Sequence, residues 1–175
     1  NFDVSSNSDP ESVWSAGGLY LWAALDAAET LYAISTNAGY TDTILLDGLD
    51  ANYLPLTESV QMAAQTAVAP VNQFKRIYRM EYNHGTINTG TVTARTVSGT
   101  GVVVAQIDPT LAQTLMAIYT VPSGFTAYLT NRDFSTNKGK DAQCRLYTKE
   151  FDRSFRIKHL TEVYENSYRY DFTVP

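Results

Sequence analysis

The chain has 175 residues, with thirteen basic against eighteen acidic side chains for a net charge of −5. That length suits one domain able to bury roughly 70% of its unfolded surface, so neither disulfides nor metals are needed for folding. Its single cysteine excludes an intrachain disulfide, no apolar run approaches the ~18 residues of a membrane span, and an acid-rich chain with interleaved bases is a poor match to nucleic acid.

Charged residues are only 18% of the chain, below the ~25% of an average domain. Thr, Ser, Asn, Gln and twelve Tyr fill the difference, a mix that favours strands and contact surfaces over long helices. The charges are unevenly placed. Residues 1–74 hold nine acids and no Lys or Arg, whereas residues 75–175 hold all thirteen bases with nine acids, so the halves stand at −9 and +4. Two readings stay open. Strands of the two halves pair and offset each other within one domain, or an acidic face of one copy meets a basic face of the next.

In chain order, residues 1–12 are polar and aperiodic and read as an N-terminal arm. No secretory signal is visible there, although the chain opens at Asn1 without Met. Trp14 and Trp22 flank a turn at Gly17-Gly18, and Ala23 to Glu29 is either a loop or one to two helical turns. Strands are expected at Glu29 to Ser35, at Thr43 to Leu46 with a stop at Asp47-Gly48, at Glu58 to Met62, and at Phe74 to Tyr82. The last of these alternates, with Phe74, Arg76, Tyr78, Met80 and Tyr82 on one face. Arg76 interrupts that apolar face and marks a strand end or a partner-facing spot. Short Thr/Val strands follow at Gly90 to Val97 and Gly101 to Ile107, with a hairpin turn at Gly99-Thr100-Gly101. Thr114 to Val121 is apolar on both faces and reads as a central strand, so Ile118→Asp is expected to unfold the domain. Pro122-Ser123-Gly124 turns the chain into a strand at Phe125 to Thr130. Further strands are expected at Ala142 to Lys149 and Ser154 to His159, before a Tyr-rich tail holding Tyr164, Tyr168, Tyr170 and Phe172. Strands every ten to fifteen residues, divided by Gly, Pro, Asn and Asp, predict an all-β, antiparallel β-sandwich or jelly-roll-like single domain over 13–175 with extended termini.

Catalytic constellations are sparse. Alternation puts Cys144 on the face of Ala142 and Leu146, as a small buried hydrophobe rather than a reactive thiol. His84 sits in the turn Asn83-His84-Gly85, and His159 ends a strand whose apolar face also holds Phe155 and Ile157. Neither stands at zinc-ligand spacing. No G-x-S-x-G, Walker A or G-x-G-x-x-G motif occurs, and Ser123 is a turn residue. Asp47/Asp50 and Glu150/Asp152 are the carboxylate pairs a glycosidase would need, but Asp47-Gly48-Leu49-Asp50 reads as a turn, which favours Asp for local backbone bonding. Asp42, Asp47 and Asp50 lack the ordered spacing of a calcium loop. No catalytic, cofactor-binding or metal-binding residue is assigned.

Three stretches carry a resemblance. They are Ile34-Ser35-Thr36-Asn37-Ala38-Gly39-Tyr40-Thr41-Asp42-Thr43 running into Leu46-Asp47-Gly48-Leu49-Asp50-Ala51-Asn52-Tyr53; then Glu58-Ser59-Val60 with Phe74-Lys75-Arg76-Ile77-Tyr78-Arg79; and Asn88-Thr89-Gly90 leading to Gln113 through Leu129. In this order and spacing, over about residues 30–160, the chain resembles a family of virion structural proteins of tailed phages of the marine podovirus type. Such relatives carry a fuller Gly-Thr-Gly segment where this chain has only Thr43-Ile44-Leu45-Leu46. The resemblance brings no catalytic residues. It implies a particle component, and the reading that follows is a non-enzymatic capsid decoration (cement) protein on the capsid exterior. Its partners would be the major capsid protein and copies of itself, as a trimer, with no nucleic acid and no membrane. Trp14, Trp22, Arg76, Tyr164, Tyr168, Tyr170 and Phe172 are its candidate contact residues. The alternative is a tail or fibre component for host attachment, in which a glycan would be the ligand. A virion-associated glycan or peptidoglycan hydrolase is a third, enzymatic reading.

Overall fold

Alternating apolar residues in short runs, each broken by Gly, Asp, Asn or Pro, fold here into antiparallel strands, with no α-helix among the described residues. The computed structural model describes residues 10–83, 88–135, 141–164 and 167–171, with Tyr164 and 167–171 as backbone. The chain forms two compact units, 1–126 and 127–175. Their boundary falls inside the span expected as one domain, and residues 1–9 of the expected arm lie outside the described residues.

Unit 1 contains β1 (Tyr32–Ser35), β2 (Thr43–Leu49), β3 (Pro55–Gln61), β4 (Arg76–Tyr82), β5 (Val92–Arg95) and β6 (Val103–Ile107). They form two antiparallel sheets of order β1-β5-β6 and β3-β2-β4. One core cluster draws on both sheets: Ala33, Val92, Ala94, Val104 and Ile107 from the first, Ile44, Leu46, Val60, Ile77 and Met80 from the second, with Phe74 between elements. Each fully buried Val, Leu, Ile, Met or Phe side chain among them contributes about 1.5–3 kcal/mol of transfer free energy. This is the sandwich solution, two sheets closing on one core. A jelly roll needs eight strands in two Greek keys, whereas the described residues of unit 1 form these six.

Several expected boundaries move, for physical reasons. Asp47-Gly48 is not a stop. β2 runs through it to Leu49, and the turn comes at Asp50, whose Oδ1 accepts the amides of Asn52 (2.8 Å) and Leu54 (2.9 Å). Gly48 serves close approach instead, because a Cβ there would lie 2.0 Å from the Arg76 carbonyl oxygen. The register of β2 against β4 shifts at the same point, from Asp47↔Arg79 to Gly48↔Ile77. Tyr78 is therefore an extra residue, a β-bulge. It breaks the predicted single face of Phe74, Arg76, Tyr78, Met80 and Tyr82. Ile77 and Met80 both turn inward, and Arg76 lies opposite Leu49, on the side of Asp47 and Arg79. Arg76 does begin a strand.

The expected central strand at Thr114 to Val121 does not form. Residues 112–117 instead lie along the edge of β4 and against the N-terminal segment. The Tyr82 amide donates to Ala112 O (3.0 Å), the Thr114 amide to Met80 O (2.9 Å) and the Ala117 amide to Val13 O (2.8 Å). Covering a sheet edge needs apolar contact without a ladder, which is why the segment imitates a buried strand. Ile118 is half-buried, so a charge there would meet solvent on one side. The expected strand at Phe125 to Thr130 is absent too. Those residues are exposed and cross between the units, after the Pro122-Ser123-Gly124 turn that does form, with Gly124 at φ +81°. Gly99-Thr100-Gly101 lies in the β5–β6 hairpin turn as expected, and Ala23 to Glu29 resolves as a 3-10 turn over Trp22–Leu25.

Unit 2 contains β7 (Asn131–Ser135), β8 (Asp141–Thr148), β9 (Arg156–Tyr164) and β10 (Ser167–Asp171), paired β8-β9 and β7-β10. The Tyr-rich tail is thus a strand over 167–171. β7 escapes sequence reading because Asn131-Arg132-Asp133-Phe134-Ser135 has no apolar alternation. The β8–β9 register slips between Leu146↔His159 and Tyr147↔Ile157, leaving Lys158 as the extra residue. The expected common face of Phe155, Ile157 and His159 is lost as a result. Ile157 is 51% exposed and pairs with Tyr147, whereas His159 is half-buried opposite Leu146.

Candidate functional site

Three of the residues singled out from the sequence, Trp14, Trp22 and Arg76, come together in unit 1 around Tyr20. Gly17 and Gly18, both at positive φ (+70° and +66°), fold the chain back. The return is fastened by the Ser12 amide donating to Gly18 O (2.9 Å) and the Tyr20 amide donating to Ser12 Oγ (2.9 Å). The Trp14 indole N–H donates to Gly17 O (2.8 Å). The Tyr20 ring then stands edge-on to both tryptophans, with centroids 5.0 Å apart in each pair. Its hydroxyl donates to Val104 O on β6 (3.2 Å), and burial pushes its pKa up to about 12 although Arg76 pulls the other way. Tyr20 therefore stays a neutral donor and a fixed wall.

Arg76 extends the cluster. Its guanidinium donates to the carbonyls of Leu25 and Lys75 and lies 5.8 Å from the centroids of both Trp22 and Tyr53. Lys75 Nζ sits 5.8 Å from the Tyr53 ring. Tyr53 takes φ +59° at the end of the Asp50 turn. Val13, Leu19, Leu21 and Leu54 are exposed large apolar residues on the same stretches of chain. The composition is that of a contact surface, with aromatic walls, a half-buried cation and exposed apolar side chains beside them. Trp14 is only 6% exposed, so its ring offers no platform to a sugar, whereas Trp22 is half-buried.

The other nominated groups are dispersed. Asp47 accepts two hydrogen bonds from Arg79 (3.0 and 2.8 Å) and one from Thr57 (2.6 Å) across the β3-β2-β4 sheet, while Asp50 shapes its turn. Glu150 and Asp152 are exposed in the β8–β9 connection. Among the described residues no three His, Cys, Asp or Glu gather as metal ligands. Cys144 shares the face of Ala142 and Leu146, as alternation predicts, but is half-buried. Burial pushes its thiol up while Arg132 pulls it back. His159 accepts a hydrogen bond from Arg132, which also donates to Thr161 Oγ1 (2.7 Å). Tyr164 ends β9, and Tyr168 and Tyr170 are register partners of Phe134 and Arg132. His84 and Phe172 lie outside the described residues.

Sequence reading missed Tyr20 and Tyr53, which connect the cluster. Their signal was present in the alternation Leu19-Tyr20-Leu21-Trp22 and in the Asp50 to Tyr53 turn. It also missed the outward side of β8–β9, where Tyr147, Ile157 and Leu160 are 44%, 51% and 48% exposed. Only the bulge at Lys158 brings Ile157 to that side. Comparison with protein families, with curated proteins and with solved structures finds no match to this chain.

Proposed function

We propose that this chain is a non-enzymatic structural protein of a phage particle, a capsid decoration protein that sits on the outer shell and binds the major capsid protein and further copies of itself as a trimer. The observation that carries this reading is surface chemistry. Both all-β units expose large apolar side chains (Leu19, Leu21 and Leu54 in one; Tyr147, Ile157 and Leu160 in the other). Such residues gathered on short stretches of chain signal association. The units also differ in sign. Residues 1–126 hold eleven acids and four bases, and residues 127–175 nine bases and seven acids. The resemblance to tailed-phage virion proteins supplies the setting. Cryo-electron microscopy of the intact particle tests it. The expected result is density for this chain at regular positions on the icosahedral shell. Density confined to the tail or portal vertex overturns the decoration role.

A tail or fibre component remains the second reading because Trp22, Tyr53 and Arg76 form an aromatic–cation edge of the kind that holds sugars. The burial of Trp14 weighs against it.

A further inference from the structure

We infer that the free edge of β8 pairs antiparallel with β8 of a second copy of this chain, with Gln143 at the two-fold axis, an inference that rests on the reading above that copies of this chain bind one another. β9 pairs with one side of β8, and among the described residues no strand pairs with its other side. β8 is eight residues long, and the bulge residue of the hairpin, Lys158, lies on β9, so β8 itself runs unbroken. Unit 1 treats its edges differently. Residues 112–117 run along β4, Ala33 of β1 exchanges backbone bonds with Val68 (2.8 and 2.9 Å), and β3 opens on Pro55, which has no N–H to offer. Covering segments, Pro and bulges keep a sheet edge from pairing with another chain, and β8 carries neither Pro nor an extra residue.

The charges of β8 select the occupant. Asp141, Gln143, Arg145 and Tyr147 share the exposed face, and Ala142, Cys144 and Leu146 the half-buried one. Opposite residues of an antiparallel pair point to the same side, so two copies of β8 meet only in registers that keep these faces apart. In the register centred on Gln143, Asp141 of each copy stands opposite Arg145 of the other, and Ala142 stands opposite Cys144. One strand thus supplies both members of two ion pairs, as an isologous contact requires. The Arg145 guanidinium already lies along this face, donating to Gln143 Oε1 (2.9 and 2.5 Å). Centring the pair on Cys144 instead leaves Asp141 against Tyr147 and Arg145 against Gln143, with no charge matched, and centring it on Arg145 sets that cation against itself. Unlike charges directly opposite stabilise a cross-strand pair and like charges destabilise it. The matched register joins two hairpins into one sheet of order β9-β8-β8-β9. A two-fold contact of this kind lies between trimers, not within one.

Disulfide trapping on the full chain tests this, with Cys144→Ala as the background for each added cysteine. Opposite Cα atoms of an antiparallel pair stand about 4.5–5.5 Å apart, inside the ~4.4–6.8 Å that a disulfide spans. Gln143→Cys should therefore form an interchain disulfide under mild oxidation. The two copies of residue 144 are offset by two positions, about 7 Å along the strand on top of that gap, so the wild type should cross-link through Cys144 about tenfold more slowly or not at all. Tyr147→Cys, farther still from its own copy, should behave like the wild type. Added to Gln143→Cys, Asp141→Arg or Arg145→Asp alone should slow the cross-link about tenfold, and the two together should restore it, with circular dichroism showing every variant folded. No cross-link at Gln143→Cys, faster cross-linking at Cys144 or at Tyr147→Cys, or a double charge swap that fails to restore the rate overturns the inference. The two proposals fail separately. A chain that cross-links at Gln143→Cys yet is missing from particles sinks the virion reading alone. A chain present on particles that forms no such cross-link sinks this one alone.

Discussion

The two units fill their interiors with opposite chemistry. Unit 1 closes over Phe74, Leu31, Ile44, Leu46, Met80 and Ile107, all at most 1% exposed. In unit 2, Val163 is the single fully covered apolar residue among those described, and its buried company is Arg132 and Thr161. Arg132 donates to Thr161 and His159 and lies 5.4 Å from the Phe134 ring centroid. Close packing of hydrocarbon holds the first unit, while directional bonds to a guanidinium organise the second. Buried apolar area is non-directional and additive, whereas a buried cation restricts which arrangements are tolerated more than it adds stability. Unit 2 has accordingly left Tyr147, Ile157 and Leu160 outside, where they are available to another surface.

Three substitutions probe that contrast. Phe74→Ala empties the centre of unit 1 and should cost about 4 kcal/mol by transfer and cavity terms, read as a large fall in the chemical denaturation midpoint. A loss below about 1 kcal/mol would mean that the core is not the anchor. Arg132→Met keeps volume and removes the buried charge, so unit 2 should lose no more than about 1 kcal/mol and would gain if desolvation dominates. A loss as large as that of Phe74→Ala would erase the distinction between the units. The smallest effect belongs to Glu58 on β3. Partial burial pushes its carboxyl up, but the amides of Val71 and Asn72 and the Asn72 side chain outweigh this and hold it below its ordinary 4.5. A carboxyl that is more acidic when folded stabilises fully above its unfolded pKa, and this contribution is lost as pH falls through the folded value. Because the group is solvent-screened, the term should stay under about 1 kcal/mol. The urea midpoint should be level from neutral pH down to about 5 and then fall, and Glu58→Gln should flatten part of that fall.

The all-β class was legible because a period of two survives in most strands. β8 reads half-buried at every second residue from Ala142 to Thr148, and β2, β3, β5 and β6 appear near their expected places. The candidate site was legible only in part. Trp14, Trp22 and Arg76 stand out in composition, but nothing local shows that a Gly17-Gly18 reversal brings two of them onto Tyr20, or that Arg76 reaches Trp22 from a strand fifty residues later. What stayed hidden involves partners distant in sequence. Leu115 and Met116 are half-buried because residues 112–117 run along an edge of β4 and the N-terminal segment. β7 is polar because its partner is β10 and its buried side chain is an arginine. The bulges at Tyr78 and Lys158 add one residue each, which no pattern of period two can announce.

The Tyr78 bulge also bears on how this chain can vary. In a regular strand, losing one residue inverts every side chain beyond the cut and turns the core face outward. β4 already holds one residue more than its partner, with Ile77 and Arg79 facing Gly48 and Asp47 on either side of it. Removing Tyr78 would close the ladder and leave Arg79 outward and Met80 inward, at the cost of its ring contact with Tyr119. It is the position in β4 where a codon-length deletion is the gentler change.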